Sequence, residues 1–520
     1  MKNHFKDLEK SSNKNLYLLF LSGLVGLTAG FLASMYRLAL EIAENLGRGL
    51  YRTLVLQPIY LLVALAVILL LVLLVTFLMK KYPMSAGSGI PQVKGQLQGY
   101  FKINWFTTAF AKFIGGTLAM FAGLSLGREG PSVQLGASMG QAVSEKLAQT
   151  ERHRRILIAS GASAGLSAAF NAPLSGVMFT LEEVFKYFSP LILLTCMTSA
   201  IVADGVSRLI FGSAPVFHFK IIASIPLHDY WILLLLGVVL GFFGAFYNIS
   251  LLASQRWMKK IKSLYLRVLL SFLVAGIFGL TFPAVIGSGH TLINSLNLSL
   301  GLGFLALLFI FKYFISIVSY ASGVPGGIFF PLLVLGASLG SVFATLVING
   351  LHLPETLFAN LVILAMAGTF TAIVRAPMTG ILLLVEMTGT FDHLLPLALV
   401  SLVAYVVADL LHSAPIYDSL LENMLVGNEQ KEAVSEEGQM MFETMVQFDS
   451  QADKQLLGNL ALPENCLLVA VHRSGKDLIP QGNTQLQAGD YLTFLIQRSE
   501  EKFARAEIQK IFMEKENAAQ

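Results

Sequence analysis

Residues Pro58 to Met79 run for 22 residues without a charge. Coiled as a helix, a run of that length crosses a hydrocarbon layer of about 30 Å. Further long apolar stretches lie at 191–203, 231–253, 268–285, 303–311 and 328–348. Only 13% of the 520 residues are charged and 55% are apolar, whereas a soluble chain carries about 25% charge. The chain therefore reads as an all-α polytopic membrane protein. The first apolar run, from Leu16, follows Lys2, Lys6, Lys10 and Lys14. Those lysines favour a cytoplasmic N-terminus, and no secretory leader is read there.

Charge is distributed unevenly. Residues 421–520 hold 16 acidic and 9 basic side chains, a net of −7, while the first 420 residues hold only 43 charges and a net of +11. A change of solvent near residue 420 follows. The expected layout is a polar segment at 1–15, a membrane domain at 16–421, a linker at 422–440 and a small cytoplasmic α+β domain at 441–520. The polar "VGNEQKEAVSEEGQ" (426–439) is read as part of that linker. The two cysteines, Cys196 and Cys466, lie in different environments and define neither a disulfide framework nor a metal site.

The membrane domain contains a repeat. "GREGPSVQLGASMG" (127–140) matches "GIFFPLLVLGASLG" (327–340) at an offset of 200, and "APLSGVMFTLEE" (172–183) matches "APMTGILLLVEM" (376–387) at 204. Two halves, roughly 20–210 and 225–412, follow from these matches. Internal repeats with broken helices are a habit of secondary transporters, which place their substrate between the halves. Three loops show the breaks: "GSGIP" (87–91), "GREGP" (127–131) and "GVPGGIFFP" (323–331). Proline suits a helix's first turn, and glycine lets backbone N–H groups approach a ligand. Helix N-termini attract anions. Several such termini converging on one anion is the functional reading; three structural kinks is the plain one.

The ordered set GSGIP, GREGP and GxxGGIFxP resembles the CLC family of chloride channels and proton/chloride exchangers. "GLSAAFNAPLSGVMFTLEE" (165–183), "RAPMTGILLLVEMT" (375–388) and "APIYDSLL" (414–421) strengthen the resemblance, which spans roughly 16–421. It implies two inverted repeats, a homodimer in the plasma membrane with both termini cytoplasmic, and one anion pathway per subunit. It places Ser88 and Tyr417 at a central anion site as hydroxyl donors, with the backbone N–H groups of Ile328 and Phe329. Gly87, Gly89, Arg128, Gly130 and Gly327 belong to the same anion-binding loops. Serine at 88 favours chloride. Neutral dipoles of this kind bind an anion weakly enough to release it.

Within that resemblance Glu129 matches a gating glutamate that also carries protons at the outer end. An intramembrane carboxylate is functional by default; the plain alternative is a local Arg128–Glu129 ion pair. Glu182 and Glu183 end an apolar helix and face different ways. Glu182 repeats as Glu386, which suggests a shared structural task. Glu183 aligns with Met387 and so breaks the symmetry. The resemblance makes Glu183 the inner proton glutamate; otherwise it is a solvated residue near Lys186. The expected function is proton/chloride antiport, with a passive gated chloride channel of the same fold as the alternative.

After residue 440 the pattern changes. "CLLVAVHRSGKDLIPQGNTQLQAGDYLTFLIQ" (466–497) alternates short strand-like runs with turns, and "FARAEIQKIF" (503–512) reads as an amphipathic helix. This part resembles a TrkA-C module, which implies dimer support or binding of a small regulator. His472 and Arg473 could meet a phosphate or simply be solvated. A transport-regulating subunit is argued against by the complete set of anion loops. A hydrolytic set of Ser88, His290 and Glu129 lacks any nucleophile–base spacing, and His290 reads as a loop residue. No cofactor, metal cluster or nucleic-acid signature is expected.

Overall fold

The computed structural model describes residues 2–186, 188–212, 225–429, 439–447, 450–463, 466–473, 476–497 and 501–513. The chain divides into two compact units, one of residues 13–422 and one that includes 423–520.

The first unit is helical. Its elements are α1 (Lys2–Leu56), α2 (Leu61–Lys81), α3 (Ile90–Leu97), α4 (Trp105–Phe121), α5 (Glu129–Leu147), α6 (Glu151–Phe170), α7 (Pro173–Phe179) with a π-helical turn (Thr180–Val184), and α8 (Pro190–Phe211). Then come α9 (Tyr230–Lys260), α10 (Leu264–Thr281), α11 (His290–Ser295), α12 (Leu302–Ala321), α13 (Phe329–Leu351), α14 (Leu357–Val374), α15 (Pro377–Thr388), α16 (Leu394–Leu410) and α17 (Ile416–Glu429). Of these elements, α1 starts ahead of residue 13 and α17 runs on past 422. Among the described residues, eight helices are long and apolar enough to cross a membrane. One of these spans, Asn15–Leu56, has 42 residues. At about 63 Å it outruns the hydrocarbon, so it tilts or emerges from it. Leu62, Val63, Leu73 and Phe77 on α2 are exposed, as side chains facing lipid tails are.

Helices α1–α8 and α9–α16 form the two repeats. α5 packs on α6 as α13 packs on α14; α6 packs on α8 as α14 packs on α16; α7 meets α15. The halves join head to tail. Gly127 N–H donates to Gly327 O at 2.6 Å, Gly327 N–H returns to Gly127 O at 2.8 Å, and the pairing is antiparallel. The repeats are thus inverted about that pair.

Small residues set the closest packing. A Cβ on Gly136 of α5 would lie 2.1 Å from Gly161 O of α6, and one on Gly161 would lie 2.2 Å from Gly136 O. In lipid, contact of this kind replaces the hydrophobic drive that water supplies elsewhere. The helix breaks have a local cause too. α6 ends at Asn171 with φ 53° and α14 ends at Arg375 with φ 69°, each in the left-handed region. Each is followed by Ala-Pro, with the proline opening the next helix. The strain at Arg375 is held by bonds from its guanidinium to Tyr405 O (2.7 Å) and Ser413 O (2.9 Å).

The second unit carries a four-stranded antiparallel sheet in the order β1–β4–β2–β3: β1 (Gln439–Met445), β2 (Cys466–Arg473), β3 (Lys476–Leu478) and β4 (Tyr491–Gln497). Its core is Leu468, Val471, Leu492, Phe494 and Ile496, covered by Ala504, Ile508 and Phe512 of α18 (Glu501–Met513). The spacing of four places these three on one helix face, and Phe512 meets Phe494 with ring centroids 5.4 Å apart. The stretch read as a linker carries regular structure at both edges. α17 runs through to Glu429 and β1 opens at Gln439; the middle, 430–438, lies outside the described residues. The α17 sequence has no proline or glycine until Gly427, so nothing stops the helix at 421.

Candidate functional site

Helix breaks leave N–H groups without intrahelical acceptors. In α13 the first helical acceptor is Ile328 O, which takes Leu332 N–H at 2.9 Å. The N–H groups of Ile328, Phe329 and Phe330 precede it and point out of the helix start. One of them has a partner: Phe330 N–H donates to Glu129 Oε2 at 3.3 Å. Glu129 is the first residue of α5 and is fully buried. Its carboxylate therefore occupies a position where a helix N-terminus would hold an anion.

The other loop residues gather around this point. A Cβ on Gly130 would sit 2.4 Å from Ser88 Oγ, and one on Gly327 would sit 3.2 Å from Gly130 N. Gly89 has φ 98° and opens α3, so the GSGIP turn requires glycine there. Ser88 is buried, and among the described residues its hydroxyl has no hydrogen-bond partner. The same holds for the Tyr417 hydroxyl. Tyr417 reaches the α13 start through rings: Tyr417 to Phe179 at 6.3 Å, Phe179 to Phe329 at 5.6 Å, Phe329 to Phe370 at 4.7 Å. A buried hydroxyl normally finds a partner. Two lack one among the described residues: Ser88 lies beside the start of α5, and Tyr417 is linked to the start of α13 through rings.

Arg128 has several side-chain partners. Its guanidinium is taken up by Glu41 Oε1 at 2.9 Å and by His290 Nε2 at 3.2 Å. It lies 3.8 Å from Glu129 Oε1, too long for a hydrogen bond. The local Arg128–Glu129 ion pair is thus present as a contact at 3.8 Å, beside the shorter bonds of Arg128 to Glu41 and His290. The reading of His290 is corrected. It is the first residue of α11, not a loop residue, and its ring stacks on Phe330 at 3.9 Å.

Glu182 and Glu386 do share a structural task. Glu182 accepts from Met378 N (3.2 Å), Thr379 N (2.9 Å) and Thr379 Oγ1 (2.8 Å) at the start of α15. Glu386 accepts from Leu174 N (2.9 Å), Ser175 N (2.8 Å) and Ser175 Oγ (2.5 Å) at the start of α7. Each half caps a helix of the other. Glu183, one residue on, turns inward instead. It is 1% exposed, which overturns the solvated reading, and its carboxylate accepts from Lys94 Nζ at 2.8 Å. Lys94 also pairs with Asp418, and Asp418 with Lys186 at 2.5 Å. A cavity of about 420 Å³ adjoins this group, lined by Glu182, Glu183, Lys186, Phe188, Arg375 and Tyr405 among others.

Two supports escaped the sequence reading. Lys112 is fully buried and donates to Gly87 O at 2.8 Å; Lys312, at an offset of 200, donates to Val285 O at 3.0 Å and Gly287 O at 2.9 Å. They pin two GSG loops, 87–89 and 287–289. The second loop lacks the proline of the first, so its kinship is weak in sequence. In the second loop Ser288 Oγ is bonded to Glu44 Oε2 at 2.8 Å, whereas Ser88 Oγ is unpartnered. In the sheet unit, Arg473 is bound to Asp490 (2.6 and 2.7 Å) and Gln485 O, so its guanidinium is already engaged. The Asp490 hydrogen bonds hold the Arg473 proton more firmly than usual. The His472 side chain lies outside the described residues. No His/Cys/Asp/Glu group suited to a metal ion occurs among the described residues.

Comparison with known proteins adds the following. The sequence profile of the voltage gated chloride channel family matches residues 71–409, and that of the TrkA-C domain matches 441–508. The H(+)/Cl(-) exchange transporter ClcA of Klebsiella pneumoniae subsp. pneumoniae is 34% identical over 436 residues, covering 80% of this chain and 91% of that protein. ClcA of Vibrio cholerae serotype O1 is 36% identical over 424 residues, 78% of this chain and 90% of that one. Among solved structures, a slow cyanobacterial Cl-/H+ antiporter superposes with a TM-score of 0.73 at 32% identity, covering 79% of this chain and 98% of that one. A eukaryotic CLC transporter, at 23% identity and a TM-score of 0.66 over 78% of this chain and 74% of that one, shares the fold.

Proposed function

Since the chain belongs to the voltage gated chloride channel family, we infer that it is a secondary membrane transporter exchanging chloride for protons. It is an ion transporter and not an enzyme. The observation that carries the reading is the Glu129 carboxylate on the N-terminus of α13, bonded by Phe330 N–H at 3.3 Å. Carboxylate and chloride compete for the same donors. When Glu129 takes a proton it loses its charge and its hold on those donors, and chloride replaces it. When it is ionised it displaces chloride. One residue thus ties the two ions together.

In this reading Ser88 and Tyr417 donate their hydroxyls to the central chloride, with the N–H groups of Ile328 and Phe329. The loops of Gly87, Gly89, Arg128, Gly130 and Gly327 hold those donors in place. Fixed neutral dipoles bind the ion without trapping it. Glu183 serves the inner end of the proton route; its burial, its break from repeat symmetry and the cavity beside it support that role. The chain acts as a homodimer in the plasma membrane with both termini cytoplasmic, and the C-terminal unit supports the dimer or senses a small regulator.

The test is Glu129→Gln in liposomes, followed with chloride and pH electrodes. The neutral side chain cannot alternate between charge states. Chloride flux is expected to persist while coupled proton flux falls to background. Persistent coupling in this variant would remove Glu129 from the proton route.

A further inference from the structure

Lys94 and Glu183 share a property that sets them apart from the scaffold. At the repeat offsets Lys94 corresponds to Asn294 and Glu183 to Met387, both uncharged. These two charges, absent from the second half, pair with each other at 2.8 Å, with side chains 1% and 2% exposed. A buried pair of this kind is weak evidence for stability, because desolvation offsets much of its attraction. Here the ammonium is also shared. It contacts Asp418, whose side chain is 29% exposed and in turn holds Lys186, 41% exposed. The charges form a chain, Glu183–Lys94–Asp418–Lys186, that leads from a buried carboxylate to the surface.

The groups facing Glu183 are few. Lys94 comes from α3, Tyr417 and Asp418 from α17, and Lys186 from the segment after the π-helical turn. Glu182 is turned away to cap α15. Arg375 lines the adjoining cavity but bonds to Tyr405 O and Ser413 O.

We propose that Lys94 is a positioning residue for exchange: its ammonium stabilises the Glu183 carboxylate and shifts its weight onto Asp418 each time Glu183 takes a proton. This rests on the reading of Glu183 as the inner proton group. The proton arrives from the cavity side and bonds to a Glu183 carboxylate oxygen. Lys94 acts through its charge and is not itself a relay. Neutral Glu183 attracts the ammonium less, and Asp418 is already in contact to receive it. Asp418 is thereby a second control of opposite sign. Removing the Lys94 charge makes Glu183 easier to protonate; removing the Asp418 charge makes it harder.

The experiment is the pH profile of chloride-driven proton flux in liposomes for the wild-type protein, Lys94→Gln, Lys94→Arg, Asp418→Asn and Glu183→Gln. Lys94→Gln is expected to move the half-maximal point to higher pH by about one unit. Asp418→Asn moves it to lower pH, and Lys94→Arg stays near wild type. Chloride dependence at fixed pH is the control, since a general loss of structure would alter it as well. Superimposed profiles, or shifts of both neutral variants in one direction, overturn the proposal. Should Lys94→Gln fail to fold, the direction of the Asp418→Asn shift decides alone. If Glu183→Gln itself stays fully coupled, the underlying reading fails. If it uncouples while the Lys94 and Asp418 profiles do not move, only the role of Lys94 falls.

Discussion

The first half of the membrane unit carries charge where the second half carries none. Glu129 corresponds to Phe329, Arg128 to Ile328, Lys94 to Asn294 and Glu183 to Met387. What the halves share is scaffold: the Gly127–Gly327 pair, the carbonyl-binding lysines Lys112 and Lys312, and the cross-capping glutamates Glu182 and Glu386. The GSG loops show the division within one motif. Ser288 is satisfied by Glu44, while the Ser88 hydroxyl has no hydrogen-bond partner among the described residues. The shared residues build the frame of inverted helix breaks, and the residues proposed for transport are those at which one half departs from the other.

If that division holds, shared residues should act on stability and unshared ones on transport. The largest effect is expected at the cross-caps. Glu182→Ala and Glu386→Ala each leave two N–H groups and a hydroxyl without their acceptor, a loss of about 2 kcal/mol. Thermal melting in detergent should show the two variants destabilised by similar amounts. A large loss for one and none for the other would end the claim of a shared task. A smaller effect separates the two serines. Ser88→Ala is expected to weaken chloride binding roughly five-fold, for one donor worth about 1 kcal/mol, with little change in melting. Ser288→Ala should do the reverse, because it strips a donor from Glu44 and touches no anion loop. Isothermal titration with chloride alongside melting distinguishes them, and equal loss of chloride affinity in both would refute the distinction.

The sequence discloses its helix breaks well, because glycine and proline act through local backbone chemistry. That made the GSGIP, GREGP and GGIFFP loops, and the repeat itself, readable. Glu182 and Glu183 were separable for the same reason, since symmetry is a property of sequence. Their partners were not. Lys94 lies 89 residues from Glu183 and Lys112 lies 25 from Gly87, and in a one-letter string each is only a lysine among apolar residues. The partners of Arg128, Glu41 and His290, come from α1 and α11 and were equally out of reach. Phe170 and Phe179 pack their rings on Phe329 at 5.4 and 5.6 Å, yet in sequence they match any membrane helix.

The most direct test of exchange is proton movement into liposomes holding the purified protein, under an imposed chloride gradient with the membrane potential clamped. The account predicts that chloride running down its gradient drives protons uphill, in fixed proportion to the chloride moved. Chloride flux with no proton movement would contradict it and leave a gated channel built on the same fold.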